Sequence, residues 1–130
     1  METALTHLAD LRRPAYALAA VALLAAAIAT FLHVDAGWWV IPVFAILPDL
    51  AFVAGAGRTS GLERGQMPAR AVPVYNALHR LWGPLVLAVL AVAGVVAPAL
   101  LAGALVWASH IALDRAVGYG LRTPDGFQRR

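Results

Sequence analysis

The sequence predicts an all-α, polytopic membrane protein with four transmembrane helices in two antiparallel hairpins and both termini cytoplasmic. Three observations lead there. Of 130 residues, 62% are apolar and only 13% charged, whereas a soluble domain carries roughly a quarter charged residues, so the apolar excess must face something other than water. Uncharged stretches near the length of a bilayer crossing recur along the chain. The ten basic residues are all arginines, and they flank those stretches. Mean hydropathy is +0.75. The length suits one domain, 1–130, and leaves no room for a separate soluble catalytic unit. The absence of cysteine removes a disulfide framework, a thiol nucleophile and any thiolate metal site.

The first span is expected over 14–33, because Ala15 to Leu32 is uncharged and follows Arg12, Arg13 and Pro14. The run is long for a signal peptide, and Glu2 and Asp10 spoil a positive leader. Ahead of it, Leu5, Leu8 and Leu11 among polar neighbours suit a short interfacial helix or a frayed tail. The second span, 37–57, opens on the interfacial pair Trp38 and Trp39 and carries one charge, Asp49, behind Pro48. Pro73 to Gly118 as a single helix would measure about 70 Å against a hydrocarbon core of about 30 Å, so it must fold back. Gly94 and Pro98 place that turn and give spans 73–95 and 97–118, with Pro73 suited to a first helical turn.

Between the hairpins, the polar and glycine-rich segment 58–72, with Gly57, Gly61 and Gly65 nearby, reads as a flexible loop. It is no phosphate-binding loop, since the chain has no lysine. In the tail, 119–130, Thr123-Pro124-Asp125-Gly126 has the order of a type I turn. Small residues at four-residue steps, Ala22 and Ala26, Ala99 and Gly103, suit close helix packing. Arg12 and Arg13, then Arg58, Arg64 and Arg70, then Arg122, Arg129 and Arg130 fall on one side. The opposite turns, near Val34 to Ala36 and Val95 to Pro98, hold no basic residue, which predicts an N-in, C-in membrane protein. The net charge of +3 thus reports topology. No basic patch interleaved with aromatics exists, and nucleic acid is not an expected partner.

Four ionisable side chains lie within the spans, where burial is expensive: Asp49, His79, His110 and Asp114. Counted at helical rise from the arginine side, they sit at depths of roughly 12, 9, 12 and 6 Å. All share one layer. His110 and Asp114, four residues apart, share a helix face, as do Tyr75, Asn76 and His79. Two imidazoles and two carboxylates supply the mixed nitrogen and oxygen donors that zinc, first, or iron or manganese accept. Magnesium and calcium prefer oxygen alone. The competing reading makes the aspartates ion-pair partners of Arg80 and Arg115, and the histidines packing residues. His7, His33 and Asp35 read as solvated, and Trp82 and Trp107 as belt or packing residues. Ser109 does not face His110, and no Gly-x-Ser-x-Gly elbow exists, which disfavours serine hydrolysis.

The strings Pro48-Asp49-Leu50, Tyr75-Asn76-Ala77-Leu78-His79-Arg80, His110-Ile111-Ala112-Leu113-Asp114-Arg115 and Gly118-Tyr119-Gly120-Leu121 carry a resemblance. Together they resemble the bacterial small membrane proteins of domain of unknown function family 4260, from Trp38 to Phe127. More loosely, His79-Arg80 and the later His-x-x-x-Asp resemble inner-membrane metal-dependent hydrolases, although Leu81-Trp82-Gly83-Pro84 stands where a Thr-His follows the His-Arg pair there.

Two classes of function follow as expectations. In the first, Asp49, His79, His110 and Asp114 hold a divalent metal in a membrane hydrolase acting near the cytoplasmic face on a lipid-like or other amphiphilic substrate. Asp114 serves as general base, Arg80 stabilises developing negative charge, and Tyr75, Asn76 and Arg115 bind substrate. In the second, the same layer belongs to a non-enzymatic metal or proton carrier or sensor, to a haem held by His79 and His110, or to a purely structural membrane protein. Conduction needs polar groups reaching the outer face, which spans three and four lack, so a carrier would require a homo-oligomer. Membrane lipids are partners under every reading.

Overall fold

Helix α6 (Ala99–Val117) is the hub of the molecule, and α1 (Glu2–His33), α2 (Val40–Ile46) and α5 (Trp82–Val92) each pack against it. Its sequence makes it one. Ala102, Gly103, Ala104, Ser109 and Ala112 are buried and small, so neighbouring backbones can approach closely. A Cβ at Gly103 would overlap the Phe44 ring of α2. The structure, a computed structural model, describes residues 2–57 and 60–129, with side chains from Leu11 onward. Arg58 and Arg130, and the side chains of Leu5, His7 and Leu8, lie outside the described residues.

The described chain is all-helical, with no strand. Three helical segments, Leu11–His33, Ala69–Val92 and Ala99–Val117, are long and apolar enough to cross a membrane. Leu18, Val21 and Leu32 of α1 and Leu85, Val89 and Val92 of α5 are exposed, the apolar surface a bilayer would cover. Helix α1 begins earlier than expected and runs unbroken through Arg12, Arg13 and Pro14. It lies antiparallel to α6: Arg13 Nη2 donates to the Val117 carbonyl (3.1 Å), and buried Ser109 Oγ donates to that of Ala20 (2.8 Å). Ala20 and Ala27 form the buried seam of α1. Ala22 and Ala26 point outward, so the four-residue pattern marked the wrong face of this helix.

Two expected spans are broken. Span 37–57 is α2, a 3-10 turn over Leu47–Leu50, and α3 (Ala51–Gly55); the whole Val40–Gly55 stretch is shorter than the three segments above. Pro48 causes the change, since it has no N–H for the carbonyl four residues back. Span 73–95 is a 3-10 turn over Ala69–Ala71, then α4 (Val72–Leu78), an interruption at His79, Arg80 and Leu81, and finally α5. Here the ring of Pro84 would clash with the Arg80 carbonyl in a continuous helix.

The hairpin of α5 and α6 forms as expected. Gly94 at φ 73° closes a Schellman motif, with Val95 N donating to Leu90 O (2.9 Å) and Gly94 N to Ala91 O (3.1 Å). The other expected hairpin exists as a connection rather than a contact, because α1 and α2 both lean on α6. A second Schellman motif ends α6 at Gly118, φ 97°, with Tyr119 N donating to Asp114 O (2.8 Å).

The tail folds back as a short hairpin. Gly126 N donates to Thr123 O (2.9 Å) across the expected turn, and Arg129 N to Leu121 O (2.9 Å). The loop read as flexible is tied to this hairpin: Met67, itself buried, donates its N–H to Gly126 O (2.9 Å). Arg122 Nη1 donates to the carbonyls of Gly65 (2.9 Å) and Gly126 (2.8 Å). Asn76 clamps the tail from α4, donating to Arg122 O (2.9 Å) while its Oδ1 accepts from Arg122 N (2.7 Å).

Candidate metal centre

The helix breaks supply the carbonyls that aim the histidines. In the 3-10 turn after α2, amide donors step back to the third residue rather than the fourth, which leaves the Ala45 carbonyl for His110 Nδ1 at 2.9 Å. At the end of α4 the Tyr75 carbonyl accepts both the backbone N–H of His79 (3.0 Å) and its Nδ1 (2.9 Å). Beyond it the chain leaves the helix, and the freed carbonyls are taken by side chains of α6. Trp107 Nε1 donates to Leu78 O (2.8 Å), and Arg115 Nη2 to His79 O (3.0 Å).

These contacts fix the tautomers. A carbonyl oxygen only accepts, so Nδ1 of each ring carries a proton and Nε2 is the ring atom left to face the carboxylates. Both Nε2 atoms point at the same two carboxylates. His79 Nε2 lies 3.8 Å from Asp49 Oδ1 and 3.3 Å from Asp114 Oδ2. His110 Nε2 lies 3.6 Å from each. Neither Nε2 makes a hydrogen bond, although both are shut off from solvent. Such a cluster is satisfied by a positive charge at its centre, carried by a ring proton or by a bound cation.

The spacing suits a metal. In a tetrahedral site with bonds of about 2.0–2.1 Å, neighbouring donors lie about 3.3 Å apart; of the separations above, His79 to Asp114 matches this and the others are longer. Donor atoms of Asp49, His79 and His110 all fall within 4.8 Å of one another, and Asp114 reaches both imidazoles. The His79 side chain is fully buried and that of His110 nearly so, whereas Asp49 is about half exposed. Carbonyl-oriented imidazoles with buried Nε2 atoms and an open carboxylate could hold an ion reached from one side.

That side is a cleft of about 450 Å³ lined by both carboxylates, Phe52, Tyr75, Arg122 and Gln128, among others. Tyr75 stacks on His79, ring centroids 3.8 Å apart, and the Arg122 guanidinium sits 5.1 Å from the Tyr75 centroid. Buried Arg122 Nε and Gln128 Nε2 are donors without partners. The cleft therefore pairs an acceptor-rich cluster with an arginine and an amide that can hold an oxyanion, while the Tyr75 hydroxyl donates to the Gly120 carbonyl (3.4 Å).

The structure brings together all four expected ligands and places Tyr75 beside them. It sends the other expected residues elsewhere. Asn76 is consumed by the tail. Both Nη atoms of Arg115 are spent on the carbonyls of Tyr119 and His79, which makes it a brace for the histidine. Arg80 is exposed at the helix break and does not line the cleft. Sequence reasoning missed Arg122 and Gln128, because it read the tail arginines as topology signals. Trp107, read as packing, holds the break through its indole N–H.

Comparison with known proteins adds a grouping. The model of a family described as Domain of unknown function (DUF4260) matches residues 15–130. No curated protein and no solved structure matches the chain.

Proposed function

The chain belongs to the DUF4260 family, a grouping that carries no assigned chemistry, and from its own site we propose that it is a metal-dependent membrane hydrolase of an amphiphilic, lipid-like substrate. One observation carries the reading: two buried imidazole Nε2 atoms converge with the carboxylates of Asp49 and Asp114 on a cleft of about 450 Å³, and donors of Asp49, His79 and His110 lie within 4.8 Å of one another. His79, His110, Asp49 and Asp114 would hold a divalent ion, zinc before iron or manganese. Bound there, it supplies Lewis acidity toward a carbonyl or phosphoryl oxygen and a nucleophile at neutral pH.

The protein's part is positioning. Asp114, four residues after His110 and within reach of both imidazoles, is the carboxylate placed to take a proton if Asp49 remains a ligand. Arg122 and Gln128 provide donors for negative charge developing across the cleft, the task earlier assigned to Arg80. The apolar helices lead a lipid to the site from the membrane. The arginine distribution supports an inner-membrane, N-in and C-in orientation, which opens the cleft to the cytoplasmic side.

The competing readings are supported less well. With two carboxylates within 3.8 Å of both Nε2 atoms, no space remains for a porphyrin between His79 and His110. A carrier needs a polar path beyond the cluster, and the outer half of α5 and α6 is apolar.

Elemental analysis of the detergent-purified protein tests the proposal, together with His79→Ala and His110→Ala. We expect near-stoichiometric zinc, iron or manganese in the native chain, its loss in both variants, and metal-dependent turnover in a screen of lipid esters and phosphodiesters. Metal-free native protein, with both variants still folded, would overturn it.

A further inference from the structure

We propose a second site: the cleft between the arginine end of α1 and the end of α6 binds the phosphate of an anionic phospholipid head group. This cleft measures about 380 Å³ and is lined by Arg12, Arg13, Arg115, Arg129, Tyr16 and Tyr119, among others. Four guanidinium groups thus face one cavity. No carboxylate answers them among the described residues, whose ion pairs are all between histidine and aspartate. Like charges repel across so small a space, and an anion relieves the repulsion.

The cavity is built rather than incidental. Arg13 is anchored on Val117 O (3.1 Å) and Arg115 on the carbonyls of Tyr119 and His79 (both 3.0 Å). The first of these bonds satisfies the Val117 carbonyl at the end of α6 and so offsets part of the negative end of that helix dipole. Gly118 at φ 97° has no side chain, and a Cβ there would run into the Arg13 guanidinium. Arg12 and Arg129, which line the same cavity, make no side-chain hydrogen bond among the described residues and bring the planar fork that matches phosphate oxygens.

Position selects a lipid over a soluble anion. Arg12 and Arg13 stand at the start of the Leu11–His33 apolar segment, and Arg115 in the last turn of Ala99–Val117, so the cavity lies at the level of head groups. Leu11, Leu18 and Val117 are exposed close by in sequence, offering apolar surface to acyl chains. Basic pockets at the ends of membrane helices bind anionic head groups in this manner. The inference stands apart from the metal centre and survives if that site holds no metal.

Lipid binding to the purified full chain in neutral detergent, read by native mass spectrometry, tests it with phosphatidylglycerol, phosphatidylcholine and inorganic phosphate as probes. Neither Arg12 nor Arg129 makes a side-chain hydrogen bond among the described residues, so their removal spares the fold. We expect phosphatidylglycerol to bind more tightly than phosphatidylcholine. The double variant Arg12→Gln, Arg129→Gln should weaken the anionic lipid about thirtyfold, at a factor of about five per arginine. Arg64→Gln with Arg80→Gln, which removes the same charge elsewhere, should leave it unchanged. If the first double variant fails to fold, Arg12→Gln alone should cost about fivefold. Equal binding of the two lipids, or equal losses in the two double variants, would overturn the proposal. So would inorganic phosphate binding as tightly as the lipid, which would make this a site for soluble anions.

Discussion

His79 condenses the local chemistry into one residue. Its backbone N–H and its Nδ1 share the carbonyl of Tyr75, its ring lies on the Tyr75 phenol, and its own carbonyl is held by Arg115. The imidazole can neither turn nor change tautomer without breaking a buried contact. An alanine here should remove the metal, whereas a change at Arg122 should separate binding from turnover. We expect Arg122→Gln to keep full metal content while turnover of an anionic substrate falls about 10²-fold or more, the range for losing one stabilising donor. Asp114→Asn tests the general base and should lower turnover by about 10²-fold or more. If metal content and rate both stay at the native level, the base lies elsewhere. The clustering of Asp49, His79, His110 and Asp114 was legible from sequence because ionisable groups in apolar helices are few and their depths can be counted. Arg122 and Gln128 were not, since depth and direction in a tail depend on hydrogen bonds that no periodicity encodes.

At the scale of the element, the broken helices matter most. Periodicity and length gave continuous spans, and the proline effects at Pro48 and Pro84 act on the backbone without altering the apolar pattern. Each interruption exposes carbonyls beside a ligand, so what looks like damage to a helix is the mounting of the site. Gly83-Pro84 was the available signal for the second break. The end of α6 offers a direct test. Placing an alanine at Gly118 puts a Cβ in left-handed backbone and into the Arg13 guanidinium. Gly118→Ala should therefore lower stability by about 1–2 kcal/mol in thermal unfolding, and Gly61→Ala serves as a comparison: its Cβ meets nothing within 4 Å, so it bears the backbone strain alone.

Across the whole molecule, α6 gathers the other helices and carries two of the four ligands. The hairpin symmetry inferred from span lengths gave way to packing around one small-residue helix, because side-chain volume decides which helices touch and loop length only decides which are linked. The arginine asymmetry belongs to this scale too. The chain has no cysteine, so single cysteines report topology without background. Ser60→Cys should react with an impermeant maleimide only after cells are opened, and Ala97→Cys in intact spheroplasts. The reverse pattern would place the cleft on the other side of the membrane.

The far wall of the metal cleft comes from the hairpin that follows α6, while its last ligand lies within that helix. A ribosome delivers these parts in order. All four candidate ligands precede Arg122 and Gln128, which fold back beneath Asn76. A chain truncated after Gly118 and released should therefore, on the proposed reading, still capture metal while lacking the Arg122 and Gln128 donors for a substrate.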